Sequence, residues 1–371
     1  MNLSERSIYT RLKILISCIL IFSFLSIPGL NGQNDTAATK KGKNESPEII
    51  NPLFDSDELL EVSLYFDMAR FLKKNPEDGN LDALMKIKYS ETDSLEKKIN
   101  MRARGVNRRE RCHFPPVMVT FKKPVYFGTD SVKVKKLKLV THCETGAVYE
   151  EYVLREYLVY KLYNVITDTS FNVRLLKVNY IDNQNKRKTL SKYGFFIEPL
   201  NSLAARTNTT VVKSTTLGQK LIIPEIMDQV AIFNYMIANW DWSVAGQHNI
   251  NVVIPKQIGA SPLGIAIPYD FDLTGIVNAS FAIPPPDIGI ETVRDRLFTG
   301  MCRTKDEFRI SLKKFHDKKE ELYKVIDEFQ YLNQRAKKDI KYFLDGFFDQ
   351  LEKQRSFDNL IDLLLNNCKK L

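Results

Sequence analysis

The sequence predicts an α+β chain built as two lobes, a β-rich N-lobe over residues 53–199 and a mainly helical C-lobe over 200–371. Three observations carry that expectation. Runs that alternate apolar and polar residues, such as Val134-Lys-Lys-Leu-Lys-Leu-Val, crowd the first half. Helical spacing takes over from about Asp306 to Leu371. Between them, one helical stretch is followed by a polar loop, a short strand pair and an acidic turn. With 371 residues, 44% apolar and 11% aromatic, the chain has enough apolar surface for a sizeable core, which excludes a disordered or fibrous protein.

The elements follow in order. Arg6, Arg11 and Lys13 precede an uncharged apolar run from Ile14 to Ile27, then Pro28-Gly29-Leu30-Asn31-Gly32. That is the order of a secretory signal, expected over residues 1–33, and it implies export to the periplasm, cell envelope or outside. An uncleaved anchor is the other reading of the same run, and membrane attachment is expected through it alone. Residues 34–52 are polar and read as a flexible linker. Leu60 to Phe66, Ile99 to Arg104 and Pro116 to Phe121 alternate as strands, with Met68 to Lys74 helical. Glu144-Thr-Gly precedes a helix whose Leu154, Tyr157, Leu158 and Leu162 form a core-facing stripe. Phe171 to Ile181 and Tyr193 to Ile197 read as a hairpin turning at Asp182-Asn-Gln-Asn. Pro224 suits a first helical turn, and Ile226, Val230, Phe233 and Ile237 mark that helix's buried face. Asn239 to Gln247 is a loop, and Ile250 to Ile254 and Leu263 to Ile267 are two short strands.

Charge and cysteine usage narrow the partners. Lys and Arg number 54 against 45 Asp and Glu, a dispersed excess of +9. Arg102 to Arg111 and Lys133 to Lys138 are locally basic; solvated strand faces explain such runs, and so does an anionic ligand such as a nucleotide phosphate. No aromatic-interleaved basic motif is present, so no nucleic-acid partner is expected. Beyond the signal, Cys112, Cys143, Cys302 and Cys368 remain, without zinc spacing. An oxidising compartment permits a Cys112–Cys143 disulfide; free buried thiols are the alternative. No G-x-S-x-G or H-E-x-x-H stands in the chain, so a hydrolase finds no support.

Phosphoryl transfer needs a cation on the phosphates, an acid that positions it, a carboxylate at the acceptor hydroxyl and oxygen ligands for Mg²⁺. Each has a candidate. Lys138 sits on the predicted strand, with Lys136 on the same face two residues earlier, and Glu156 follows on the next helix, off its leucine stripe. Asp241 opens the polar loop, Asn249 ends it, and Asp270 and Asp272 follow the next strand. Two carboxylates and a carboxamide suit a hard cation such as Mg²⁺ or Mn²⁺. Singly, capping and turn stabilisation explain such Asp and Asn residues equally well.

Arg102-Ala-Arg-Gly, Cys112-His-Phe-Pro-Pro, Lys136-Leu-Lys-Leu-Val, Arg155-Glu-Tyr, the Asn239 to Asn251 loop and Pro268-Tyr-Asp-Phe-Asp resemble the CotH kinase-like family of bacterial surface and spore-coat proteins, over roughly Leu53 to Cys302. The resemblance implies a bilobal protein-kinase-like fold that binds ATP with Mg²⁺ or Mn²⁺ and phosphorylates a protein hydroxyl. It implies Lys138 and Glu156 as the ATP-side pair, Asp241 as base, and Asn249 with Asp270 as metal ligands. The chain departs from ordinary kinases in three ways. Asp241 and Asn249 stand eight positions apart instead of five, and Asp272 replaces the Gly after Asp-Phe. No glycine-rich phosphate loop precedes Lys138, leaving Arg102, Arg104 and Lys122 as candidates to cover a nucleotide. The departures keep open a second function, a non-catalytic cell-envelope binding or assembly protein on the same scaffold.

Overall fold

The computed structural model describes residues 48–370 apart from 51, 74–79, 106, 129–131, 214–216 and 257–262. The expected signal over 1–33 and most of the expected linker over 34–52 lie outside the described residues. The end of that linker, Glu48–Ile50, is a strand (β1) running parallel to residues 125–127.

Seven further strands form the centre of the fold: β2 (Leu60–Phe66), β3 (Leu81–Lys88), β4 (Ser94–Ala103), β5 (Val117–Phe127), β6 (Val134–Val140), β7 (Val173–Asp182) and β8 (Leu190–Ile197). Their alternation sets one face of every strand inward. In β2 the buried residues are Leu60, Val62, Leu64 and Phe66; in β3 they are Leu81, Ala83, Met85 and Ile87. The pairing order β5-β4-β3-β2-β7-β8-β6, together with a β5–β6 pairing, closes the sheet into a mixed seven-strand barrel. β2 and β7 are its parallel pair.

That closure corrects the expected architecture. A bilobal kinase-like fold needs an open sheet in one lobe and a separate helical lobe with its own core. Here β2 pairs with β7 across more than a hundred residues, and β3, unread in the sequence, fills the gap between β2 and β4. The helices bury their apolar faces in a core that they share with the outer wall of the barrel. At one end of β6, β7 and β8 both faces are apolar: Leu139, Leu176 and Phe196 belong to the barrel interior, whereas Val140, Leu175 and Phe195 belong to the helical core outside it. The described residues fall within one compact unit.

The helical layer begins with α1 (Met68–Leu72) and α2 (Asn107–Arg111), one-turn pieces at the barrel ends, and then α3 (Ala147–Ile166). α3 lays Leu158 and Leu162 on the outer wall of the barrel, with the Tyr157 and Tyr160 rings 5.8 and 5.6 Å from Phe195. α4 (Leu200–Arg206), β9 (Thr209–Val211) and α5 (Pro224–Met236) follow, α5 starting at Pro224 as its fixed φ favours. β10 (Ile250–Pro255) pairs antiparallel with both β9 and β11 (Ile265–Pro268), a small separate sheet. The tail forms α6 (Lys305–Asp317), α7 (Lys319–Glu328), α8 (Gln334–Glu352) and α9 (Gln354–Asn367). Arg155 of α3 reaches Asp339 of α8 at 2.7 Å, and a Cys302–Cys368 disulfide ties the tail's two ends together. Among the described residues no helix is long and apolar enough to cross a membrane.

Candidate functional site

The small sheet creates the site's acidic edge. The β10–β11 register sets Ile250 opposite Pro268, so Asn249 and Asp270 emerge at the same end of the hairpin, where the Tyr269 amide donates to the Asn249 carbonyl at 3.0 Å. Phe271, fully buried against Tyr160 and Phe233, fixes the turn and leaves Asp270 and Asp272 on either side of it. Asn249 and Asp270 both hold left-handed backbone, with φ of 52° and 63°. Asn and Asp tolerate that region better than other non-glycine residues, and such conformations concentrate at functional sites.

The loop from Asn239 to Asn249 is rigid by construction. Asn239, buried, takes the Asp241 amide on its side-chain oxygen at 3.0 Å and donates to Asn234 of α5 at 2.8 Å. Ser243 and His248 exchange backbone hydrogen bonds. Asn249 Nδ2 donates to the Asp241 carbonyl at 2.8 Å and to its carboxylate at 3.0 Å; His248 Nε2 lies 2.7 Å from the other carboxylate oxygen and, a carboxylate being an acceptor only, carries the proton there. His248 therefore orients Asp241. Trp240 and Trp242 underlie the loop, each with a buried indole N–H that has no partner.

From the barrel side, three cations arrive. Arg108 of α2 lies 3.3 Å from Asp272 and 3.9 Å from Glu156, and also donates to the Thr141 carbonyl at 3.0 Å. A Cys112–Cys143 disulfide joins the segment carrying Arg108 to the chain between β6 and α3, which resolves the open choice between a disulfide and free thiols. Arg104 leaves the end of β4, its backbone bonded to Pro116, with Nε and Nη2 buried and without partners. Lys138 lies with its ammonium 4.5 Å from the centre of the Tyr269 ring. Burial lowers its pKa, reinforced by Arg104 and opposed by Asp270.

The electrostatics bind these groups into one cluster. Glu156, almost fully buried, is held well above the usual carboxylate range, first by burial and then by repulsion from Asp272, with Arg108 pulling the other way. Asp272 is pushed up to about 6 by burial, against the pull of Arg108 and with added repulsion from Asp270 and Asp241. One guanidinium thus serves two buried acids. Tyr160, four residues after Glu156 on the same face of α3, accepts the Asp270 amide at 2.9 Å.

Asp241, Asn249, Asp270, Asp272, Glu156, Lys138 and Arg104 are accordingly brought into mutual reach. The acid that acts on Lys138 is Asp270, and the cation on Glu156 is Arg108 rather than Lys138. Lys136, two residues before Lys138 on β6, is exposed. Lys122, expected near a nucleotide, pairs with Asp82 on the barrel surface instead. Arg108 and Tyr160 went unread. The basic run Arg102 to Arg111 pointed to the segment but not to the residue, and Tyr160 reads in sequence as a core aromatic.

Among the described residues no group of three or more His, Cys, Asp or Glu side chains forms a ready metal cage. The donors available are the Asp270 carboxylate, which has no hydrogen-bond or ion-pair partner among the described residues, the Asp272 carboxylate and the Asn249 amide oxygen. Mg²⁺ takes one or two carboxylates and completes its shell with water and substrate phosphates, so this oxygen-only set fits it. The chain matches no protein-family model and no curated protein sequence.

Proposed function

We propose that this cluster binds a nucleotide polyphosphate with a divalent cation and transfers its terminal phosphoryl group to a hydroxyl, on a protein as the acceptor class. The observation that carries the reading is the meeting of two complementary sets. On one side stand hard oxygen donors, Asn249, Asp270 and Asp272. On the other stand buried cationic donors left without partners, Arg104 Nε and Nη2 and Arg108 Nε, beside Lys138. Buried charged donors are otherwise almost always bonded, and phosphate oxygens are the acceptors that match a guanidinium fork.

The residues then take roles. Arg104 and Lys138 hold the phosphate oxygens. Arg108 neutralises Glu156 and Asp272 and fixes the wall between them. Asp241, oriented by His248 and Asn249, accepts the proton of the acceptor hydroxyl while that oxygen bonds to the terminal phosphorus and the bond to the bridging oxygen breaks, releasing the nucleoside diphosphate. A cation held by Asn249, Asp270 and Asp272 would neutralise the developing phosphate charge. The resemblance to the CotH family lends its residue assignments to this reading and not its expected fold. Two disulfides support the expected export to an oxidising compartment.

The test is titration calorimetry of the whole chain with ATP in Mg²⁺ or Mn²⁺, comparing wild type with Asp270→Ala, followed by phosphoryl transfer to a mixed protein acceptor with Asp241→Ala. Metal-dependent binding lost in Asp270→Ala, and transfer lost in Asp241→Ala, are expected. Absence of nucleotide binding at millimolar concentration refutes the reading. Binding without transfer reassigns the cluster to the non-catalytic role.

A further inference from the structure

Away from the acidic cluster, the barrel end beside α1 opens on a cavity of about 250 Å³. Its walls are apolar, from Met68, Leu72 and Leu190, and its floor is made by Phe114 and His142. His142 is fully buried, stacks on Phe114 with ring centres 4.9 Å apart, and has no hydrogen-bond partner at either Nδ1 or Nε2. The Tyr180 ring lies 5.7 Å from the imidazole, and its hydroxyl is also buried and unbonded. Polar groups this deep are nearly always satisfied, so the orphaned His142 ring at the cavity floor marks a bond that a ligand completes. Burial lowers His142 to about 4, which leaves the ring neutral near pH 7, with one nitrogen to donate and one to accept.

The lip carries the opposite character. The β7–β8 turn is pinned over the barrel end by Asp182, whose carboxylate accepts from the Met68, Lys186 and Arg187 amides. This holds the exposed Arg187 and Lys188 side chains at the mouth, and neither forms an ion pair among the described residues. His113 stands exposed beside them.

We propose that the cavity binds a small organic carboxylate, with its carboxylate at the Arg187–Lys188 lip, a short apolar body between Met68, Leu72 and Leu190, and a hydroxyl at the far end bonded to His142. The volume equals that of roughly eight waters at about 30 Å³ each, room for a single substituted ring. Mouths of barrels are recurrent places for such sites.

The probe is 4-hydroxybenzoate, titrated calorimetrically into the whole chain, with benzoate lacking the hydroxyl and phenol lacking the carboxylate. Saturable binding is expected, with both analogues at least tenfold weaker, because a site built to bond a group rejects the analogue without it. The Arg187→Glu/Lys188→Glu double variant lies on the exposed lip, and its folding is checked by circular dichroism. It should weaken 4-hydroxybenzoate at least tenfold and leave phenol unchanged. His142→Phe should erase the preference for 4-hydroxybenzoate over benzoate. No binding of any probe at 10 mM overturns the site. Equal binding of phenol and 4-hydroxybenzoate, indifferent to the lip variant, overturns its assignment to a carboxylate.

Discussion

Replacing Arg108 by Met tests the electrostatic logic of the acidic cluster directly. Arg108 is the cation facing two buried carboxyls, 3.3 Å from Asp272 and 3.9 Å from Glu156, and it also bonds the Thr141 carbonyl. Removing one partner of a buried ion pair typically costs about 3–5 kcal/mol. At about 2.1 cal/mol/K of unfolding entropy per residue, a chain of this length loses about 1.3 °C of Tm per kcal/mol, so a fall of about 4–6 °C is expected at pH 7.5. The sign of the pH dependence follows from the carboxyls. Both have folded pKa values above their unfolded ones, Asp272 at about 6, so folding favours their protonated forms. Their stabilisation is complete at low pH and is lost as pH rises through the folded values. In the wild type Arg108, with a smaller pull from Arg104, offsets that loss; in the variant only Arg104 remains. At pH 5 the carboxyls are protonated and the deficit shrinks to the lost carbonyl bond, about 1–3 kcal/mol or about 1–4 °C. Adding Asp272→Asn to Arg108→Met should restore part of the deficit at pH 7.5. The assay is thermal unfolding by circular dichroism at the two pH values. A deficit identical at pH 5 and 7.5, or undiminished by Asp272→Asn, would refute the account.

Three other outcomes are expected. Replacing Cys302 and Cys368 by Ala opens a loop with a sequence separation of 66, worth about 4 kcal/mol in the chain-entropy account; chemical denaturation should show the loss, and an unchanged midpoint would contradict it. Phe271→Ala empties a fully buried site beneath the acidic turn and should cost about 3–5 kcal/mol, measured in urea, while weakening any metal-dependent nucleotide binding. Gly275→Ala places a Cβ 2.7 Å from the Val293 carbonyl oxygen and 2.8 Å from Ala238 Cβ; with backbone on one side, relief is restricted, and a loss of about 1–3 kcal/mol is expected, whereas a neutral result would mean the turn yields.

What the sequence determined by itself is local. Alternation in Leu60 to Phe66 and in Val134 to Val140, the leucine stripe of α3 and Pro224 at the start of α5 all identify elements, because side-chain periodicity is a property of a few consecutive residues. The acidic edge was legible for the same reason: Asn249 and Asp270 flank a short hairpin whose strands are close in sequence. Only the tertiary structure decided the rest. An alternating strand declares which face is buried but not which strand lies beside it, so the parallel β2–β7 pairing and the β5–β6 closure were invisible, and a β-rich lobe beside a helical lobe was expected where a barrel forms. The same physics hid Arg108 and the Cys302–Cys368 bridge. A guanidinium between two carboxyls, or a thiol beside another, acquires its partner only when distant segments converge, and nothing in the neighbouring residues encodes that meeting.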